Sequence, residues 1–186
     1  MRTLIHVSII HAEVDLGSAA SRARSRYGKE TWARHQQEIR AYWHQISREL
    51  DLLGLDWSRV KVYHDSLPAG GSDGLRVVRS LAARGSPNYK LVQELVKRGA
   101  TLIATEDLRL LLREYELVSS GRTCPREEFD QLLLARDRHM ATRIAETLME
   151  GETGVLFVGA AHQVTRFLPG DIRVVFVPSR YAGQQA

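Results

Sequence analysis

Four apolar runs in this chain each lead straight into an ionisable side chain. Leu4-Ile5-His6-Val7-Ser8-Ile9-Ile10 ends at His11, with Glu13 two residues on. Val60-Lys61-Val62-Tyr63 ends at His64-Asp65, and Thr101-Leu102-Ile103-Ala104 ends at Thr105-Glu106-Asp107. Gly154-Val155-Leu156-Phe157-Val158 ends at Gly159-Ala160-Ala161-His162. Two imidazoles, His11 and His162, with carboxylates from Glu13 and Asp65 form a donor set suited to a divalent transition metal such as Mn, Co or Zn. A metal of that kind acidifies bound water and polarises a carbonyl or phosphoryl oxygen. Without a metal, the same groups can run general acid–base chemistry, one histidine moving a proton while a carboxylate orients it.

Plain structural roles compete with each assignment. A histidine after a strand can cap the next helix or bond a backbone carbonyl. Glu106 suits the first turn of a helix, where the macrodipole favours a carboxylate. Asp65 lies at a turn-rich boundary. His64 points to the face opposite Asp65 if the strand continues. His35 and His44 fit a helix surface or core edge, and His139 an exposed face. Arg136 sits beside a helical apolar stripe and needs a partner there, because an unpaired buried charge is costly. Its planar fork could meet Asp65, Glu106 or a substrate carboxylate, or hold a developing oxyanion.

The elements that would position these groups follow from periodicity. Strands are expected at about 3–10, 59–64, 101–104, 154–158 and 172–177. In 29–53, Trp32, Ile39, Trp43, Ile46, Leu50 and Leu53 recur at helical spacings, and Gly54 follows. Helices are also expected at about 73–84, from Ser86-Pro87 to Arg98, at 106–118 behind a Thr105 cap, and at 125–150. The third of these carries Leu108, Leu111, Leu112 and Tyr115. The last carries Leu133, Met140, Ile144 and Leu148. Strand–helix alternation with crossovers of this length predicts an α/β fold: one domain over 1–178, a mostly parallel sheet of about five strands, and helices on both faces. The short connection into the last strand suggests that it runs antiparallel. Residues 179–186 read as a frayed tail, and 12–28 as a lid over the strand ends. In a parallel sheet all the ionisable strand ends share one edge, where open α/β folds keep their sites.

Composition narrows the function. The chain has 186 residues, 44% of them hydrophobic, and a net charge of +4. That excess is modest. Arg22-Ala23-Arg24-Ser25-Arg26 reads as a solvated loop rather than a nucleic-acid patch, since no aromatics interleave with it. One cysteine, Cys124, allows neither an internal disulfide nor a multi-cysteine zinc site. No apolar run approaches the roughly 20 residues that span a bilayer, and the first strand is too interrupted for a signal peptide. A cytoplasmic setting is expected, with no membrane or nucleic-acid partner. Phosphate-binding Gly-rich loops, a Gly-x-Ser-x-Gly elbow and a His-Glu-x-x-His helix are all absent.

Arg136-Asp137-Arg138-His139-Met140-Ala141-Thr142-Arg143-Ile144, followed by the apolar strand and Gly159-Ala160-Ala161-His162, resembles the C-terminal signature of TraB-like proteins. That wider group includes the Tiki metalloproteases and, more remotely, the erythromycin esterases. Such families carry a second Gly-x-x-His at the end of strand one. Here the tetrad is Ser8-Ile9-Ile10-His11, with serine in place of glycine. Asp65 stands near the position of the Tiki-like glutamate, after a longer spacer. The resemblance implies site roles for His11, His162 and Arg136, and extends to Asp65.

Together these observations predict a metal-assisted hydrolase of an amide or ester bond, acting on a small-molecule or peptide substrate. His11, His162, Arg136, Asp65 and Glu106 are its expected catalytic residues, and His11, His162, Glu13 and Asp65 its expected metal ligands. The alternatives are a non-catalytic protein of the same fold that binds a small anion, and an interaction protein whose exposed helices mediate oligomerisation, for instance as a homodimer.

Overall fold

A computed structural model describes residues 1–16, 20–21, 24–25, 28–119 and 125–177. Cys124 and the tail at 179–186 lie outside them, as does much of the expected 12–28 lid. Five strands form one sheet in the order β3-β2-β4-β1-β5. They are β1 (Arg2–Ile9), β2 (Val60–His64), β3 (Thr101–Leu102), β4 (Thr153–Gly159) and β5 (Ile172–Phe176). Every pairing is parallel.

The expectation of an antiparallel last strand is therefore corrected. Residues 160–171 include a 3-10 turn, Val164–Phe167, and carry the chain past β1. That length suffices for a parallel crossover. β3 is also shorter than expected: its ladder covers Thr101 and Leu102, although Ile103 N–H still donates to the Val62 carbonyl (3.0 Å).

Alternation along the central strands explains why both faces are covered. Val155 and Phe157 of β4 enter one apolar cluster, with Ile5, Val7, Ile9, Val60 and Val62. Leu156 and Val158 enter the other, with Leu4 and Tyr63. Helices α1 (Lys29–Leu52), α2 (Gly71–Ala83) and α3 (Pro87–Lys97) contribute to the first cluster. Helix α5 (Arg126–Thr147) contributes Met140, Ala141 and Ile144 to the second. Strands buried on both faces read as continuous apolar runs for this reason.

Helix α4 (Leu108–Ser119) departs from the predicted packing. None of its residues is buried, and Leu112 and Tyr115 are 52% and 70% exposed. It starts at Leu108 because Asp107 caps it, accepting from Arg109 N–H (2.7 Å) and more loosely from Leu110 N–H (3.4 Å). The expected cap, Thr105, is engaged elsewhere. Its hydroxyl accepts from His64 N–H (3.1 Å) and donates to the Ile103 carbonyl (3.0 Å). On α1, Leu53 lies beyond the helix and is 46% exposed, so the stripe ends at Leu50. On α5, Leu132 is buried while Leu133 is half-buried, and Leu148 lies just past the helix end. No helix among the described residues is long and apolar enough to cross a membrane.

Candidate functional site

The C-terminal edge of the sheet gathers charge around Asp65. Immediately after β2, its backbone N–H donates to the Phe157 carbonyl (3.1 Å), which ties it to β4. Its Oδ2 accepts from Gly159 N–H (2.7 Å), and its carbonyl accepts from the Arg136 guanidinium (2.7 Å). The loop behind it is equally fixed: the Leu67 carbonyl accepts from both Thr105 N–H (2.9 Å) and Glu106 N–H (3.1 Å). Asp65 is therefore a buried carboxylate with little freedom.

His162 faces it. The turn after β4 closes with His162 N–H donating to the Gly159 carbonyl (3.1 Å), which aims the ring back toward α5. There Nδ1 lies 2.6 Å from Asp137 Oδ1, while Asp137 Oδ2 accepts from Gln163 N–H (2.7 Å). In the neutral ring this places the proton on Nδ1 and leaves the Nε2 lone pair free. Nε2 lies 3.9 Å from Asp65 Oδ2, a gap that one bridging water can span. The sequence reading gives Asp137 no role. Its spacing to Met140, Ala141 and Ile144 was the available signal, because three, four and seven residues place it on the buried face of α5.

Arg136, one residue earlier, is buried and committed. Its Nε donates to Glu106 Oε1 (3.0 Å), and one terminal nitrogen serves both Glu106 Oε1 (2.5 Å) and the Asp65 carbonyl. The other lies 2.7 Å from Glu114 Oε2. A guanidinium so occupied holds Asp65 and Glu106 in place. The oxyanion role expected for it finds most of its donors already spent on protein acceptors. Glu106 is pushed up to about 7, mainly by burial, with Arg136 pulling the other way. Its Oε2 is buried with no partner, a second sign that the ionised form is poorly solvated there.

His64 belongs to the opposite face, as expected. Its ring is buried against Tyr89 (centroids 4.7 Å apart), and Nδ1 accepts from Ser66 N–H (3.1 Å). The neutral ring then carries its proton on Nε2, which lies 2.9 Å from the Asn88 amide. That proton needs an acceptor, and Asn88 Oδ1 is otherwise without a partner, so the amide is oriented with its oxygen toward the ring. Burial lowers the His64 pKa, partly offset by Asp65, whose Oδ1 lies 3.4 Å from Nδ1.

The four expected metal ligands do not assemble. His11 is exposed and lines a cavity of about 190 Å3 with His64, Ser66 and Tyr89. Neighbouring strands bring it near in register, since Ile9 stands opposite Gly159. No ion pair or hydrogen bond joins it to His162, whose partners are Asp137 and Asp65. Glu13 is occupied by Trp32 Nε1 (2.8 Å) and by Arg24. His162 and Asp65 alone face one another, fewer donors than the three protein ligands of a catalytic zinc. Among the described residues no group of three or more His, Cys, Asp or Glu side chains could hold a metal ion.

Helix α1 positions the end of β1. Tyr42 donates to the Ser8 carbonyl and Trp43 Nε1 to the Ile10 carbonyl (3.0 Å). Gln36 Oε1 accepts from Glu13 N–H (2.9 Å), so the described start of the expected lid, a 3-10 turn over Glu13–Leu16, is fastened to α1. The chain matches no family model, no curated protein and no solved structure.

Proposed function

We propose that the edge formed by β2 and β4 is a hydrolytic site that uses His162 as general base and acid on an amide or ester bond. The supporting observation is the line Asp137–His162–Asp65: a carboxylate fixes one imidazole nitrogen, and the other faces a second carboxylate held rigid by Gly159 N–H. Nε2 takes a proton from water as the water oxygen bonds to the carbonyl carbon. Asp137 stabilises the imidazolium formed. That imidazolium then returns the proton to the departing nitrogen or oxygen as its bond to carbon breaks. Asp65 orients the water. Glu106 and Arg136 position Asp65 and do not touch substrate. The resemblance of residues 136–162 to the TraB-like signature supports the same histidine. On this reading the substrate is a small molecule or peptide met in the cytoplasm, and no step is routed through a metal.

A panel of p-nitrophenyl esters and N-acyl peptides tests it. The wild-type chain turns over at least one class, His162→Gln removes the activity, and Asp137→Asn lowers it on the order of a hundred-fold by releasing the tautomer. Activity in His162→Gln equal to wild type ends the proposal. Metal analysis of the purified chain separates it from the metal-assisted version. Stoichiometric Mn, Co or Zn that disappears in His162→Gln returns the chemistry to a metal.

A further inference from the structure

Helix α4 carries an apolar face that the described residues leave uncovered. Leu108, Leu112 and Tyr115 recur at spacings of four and three, so they form one stripe along the helix, with Val118 at its border. All four side chains are more than half exposed. A helix of 12 residues draws most of its stability from packing such a face. Arg109 and Glu116, seven residues apart, share one flank of the stripe and are also exposed. Their charged neighbours are committed within the chain, Arg113 to Glu128 (3.1 Å) and Glu114 to Arg136 (2.7 Å). Arg109 and Glu116 have no ion pair among the described residues. Their placement also opposes the helix macrodipole, which favours acids in the first turn and bases in the last. The first turn of α4 has no acid and its last turn no base. A cation and an anion so placed gain most from a partner that offers the reverse order.

We propose that this face pairs with α4 of a second copy of the chain, the two helices running antiparallel about a two-fold axis. With the axis between positions 112 and 115, Leu112 of each copy meets Tyr115 of the other. Such an axis keeps each flank on its own side, so Arg109 of one copy comes beside Glu116 of the other, offset by about 3 Å along the helix. The charged flank is thus its own complement. A parallel pair would instead set arginine against arginine and glutamate against glutamate. One short helix from each copy makes a contact at the small end of specific interfaces, below about 1,200 Å2, so the dimer is weak and reversible. The assignment stands independently of the His162 chemistry.

Sedimentation equilibrium of the full chain across a concentration series tests the inference. The mass is expected to rise from one chain to two between micromolar and millimolar concentration, and hydrogen exchange in α4, fast in the dilute monomer, to slow along with it. Leu112→Glu, an exposed position given a good helix former, keeps thermal unfolding of the dilute chain unchanged and leaves a monomer throughout. Arg109→Glu and Glu116→Arg each put like charges together in the dimer and weaken it at least tenfold, while suiting the macrodipole of the helix that carries them. Mixing those two variants restores association, because each then offers the charges that the other lacks. A wild-type chain that stays monomeric at millimolar concentration overturns the proposal. So does a dimer that Leu112→Glu leaves intact, or a mixture of the two reversal variants that associates no better than either alone.

Discussion

Two buried titratable groups flank Asp65, and they pull stability in opposite directions with pH. Glu106 has its pKa raised by burial from 4.5 to about 7. Between those values the folded chain holds a proton that the unfolded chain has lost, so this contribution falls as pH rises through the window. The full shift corresponds to about 3 kcal/mol. Denaturant titrations should show the stability gap between wild type and Glu106→Gln narrowing by up to that amount from pH 4.5 to 7. A constant gap would mean that Glu106 ionises normally. His64 has its pKa lowered by burial from 6.5. Its contribution is present above 6.5 and is lost as pH falls below it, because the unfolded chain takes up the proton first. His64→Gln should therefore flatten the acid limb below pH 6.5 while leaving the Glu106 slope in place. At this scale the sequence exposed the groups better than their roles. Asp65, Glu106, Arg136 and His162 do stand together; the signal was the position of Asp65, Glu106 and His162 after apolar runs and of Arg136 beside the apolar stripe of its helix. The Asn88–His64 pair and the Glu114 contact to Arg136 were not legible, since each joins elements whose relative placement depends on the assembled fold.

The elements hold these residues through a few close backbone approaches. Helix α2 begins against the end of β3. A Cβ at Gly70 would lie 2.8 Å from Ala104 N and 2.9 Å from Leu102 O, and one at Gly74 only 2.2 Å from Ala69 O. Backbone cannot yield there as a side-chain tip can. Gly71, by contrast, has φ +54 and open space around it. Gly74→Ala should cost about 3 kcal/mol or more through overpacking and displaced backbone. Gly71→Ala should cost only about 1 kcal/mol of left-handed strain. Equal destabilisation of the two, measured by thermal unfolding, would contradict the close contact. The cap of α4 offers a second measure. Asp107→Ala should lower stability by about 1 kcal/mol and Thr105→Val should act instead through His64 N–H. The sequence pointed to a cap in this stretch but to the wrong residue. Thr105 and Asp107 both have capping chemistry, and only the demand of β2 for a partner at His64 N–H decides between them.

Across the whole molecule, the sheet order makes β4 the strand on which the site depends. It lies between β2 and β1, paired along seven rungs to one and five to the other, and it feeds both apolar clusters. Its run of apolar residues was readable as a buried parallel strand, and so was the α/β alternation around it. The parallel direction of β5 was not, because loop length alone leaves the crossover undecided. This order predicts a gradient of local opening. Amides of β4 must wait for nearly global unfolding, since exposing them requires parting from two neighbours and emptying both faces. Helix α4, with no buried residue, and the two-residue β3 at the sheet edge should open at far lower cost. Native-state hydrogen exchange should therefore rank β4 slowest, β1 and β2 close behind, and α4 fastest. Gly159 N–H, bonded to Asp65 Oδ2, is the informative amide. If the carboxylate is a fixed part of the site, this amide exchanges at the rate of the strand interior, and Asp65→Ala accelerates it selectively. Exchange of Gly159 at the rate of α4 in the wild-type chain would show that Asp65 is released in native fluctuations. The rigid Asp137–His162–Asp65 line would then lose its second carboxylate.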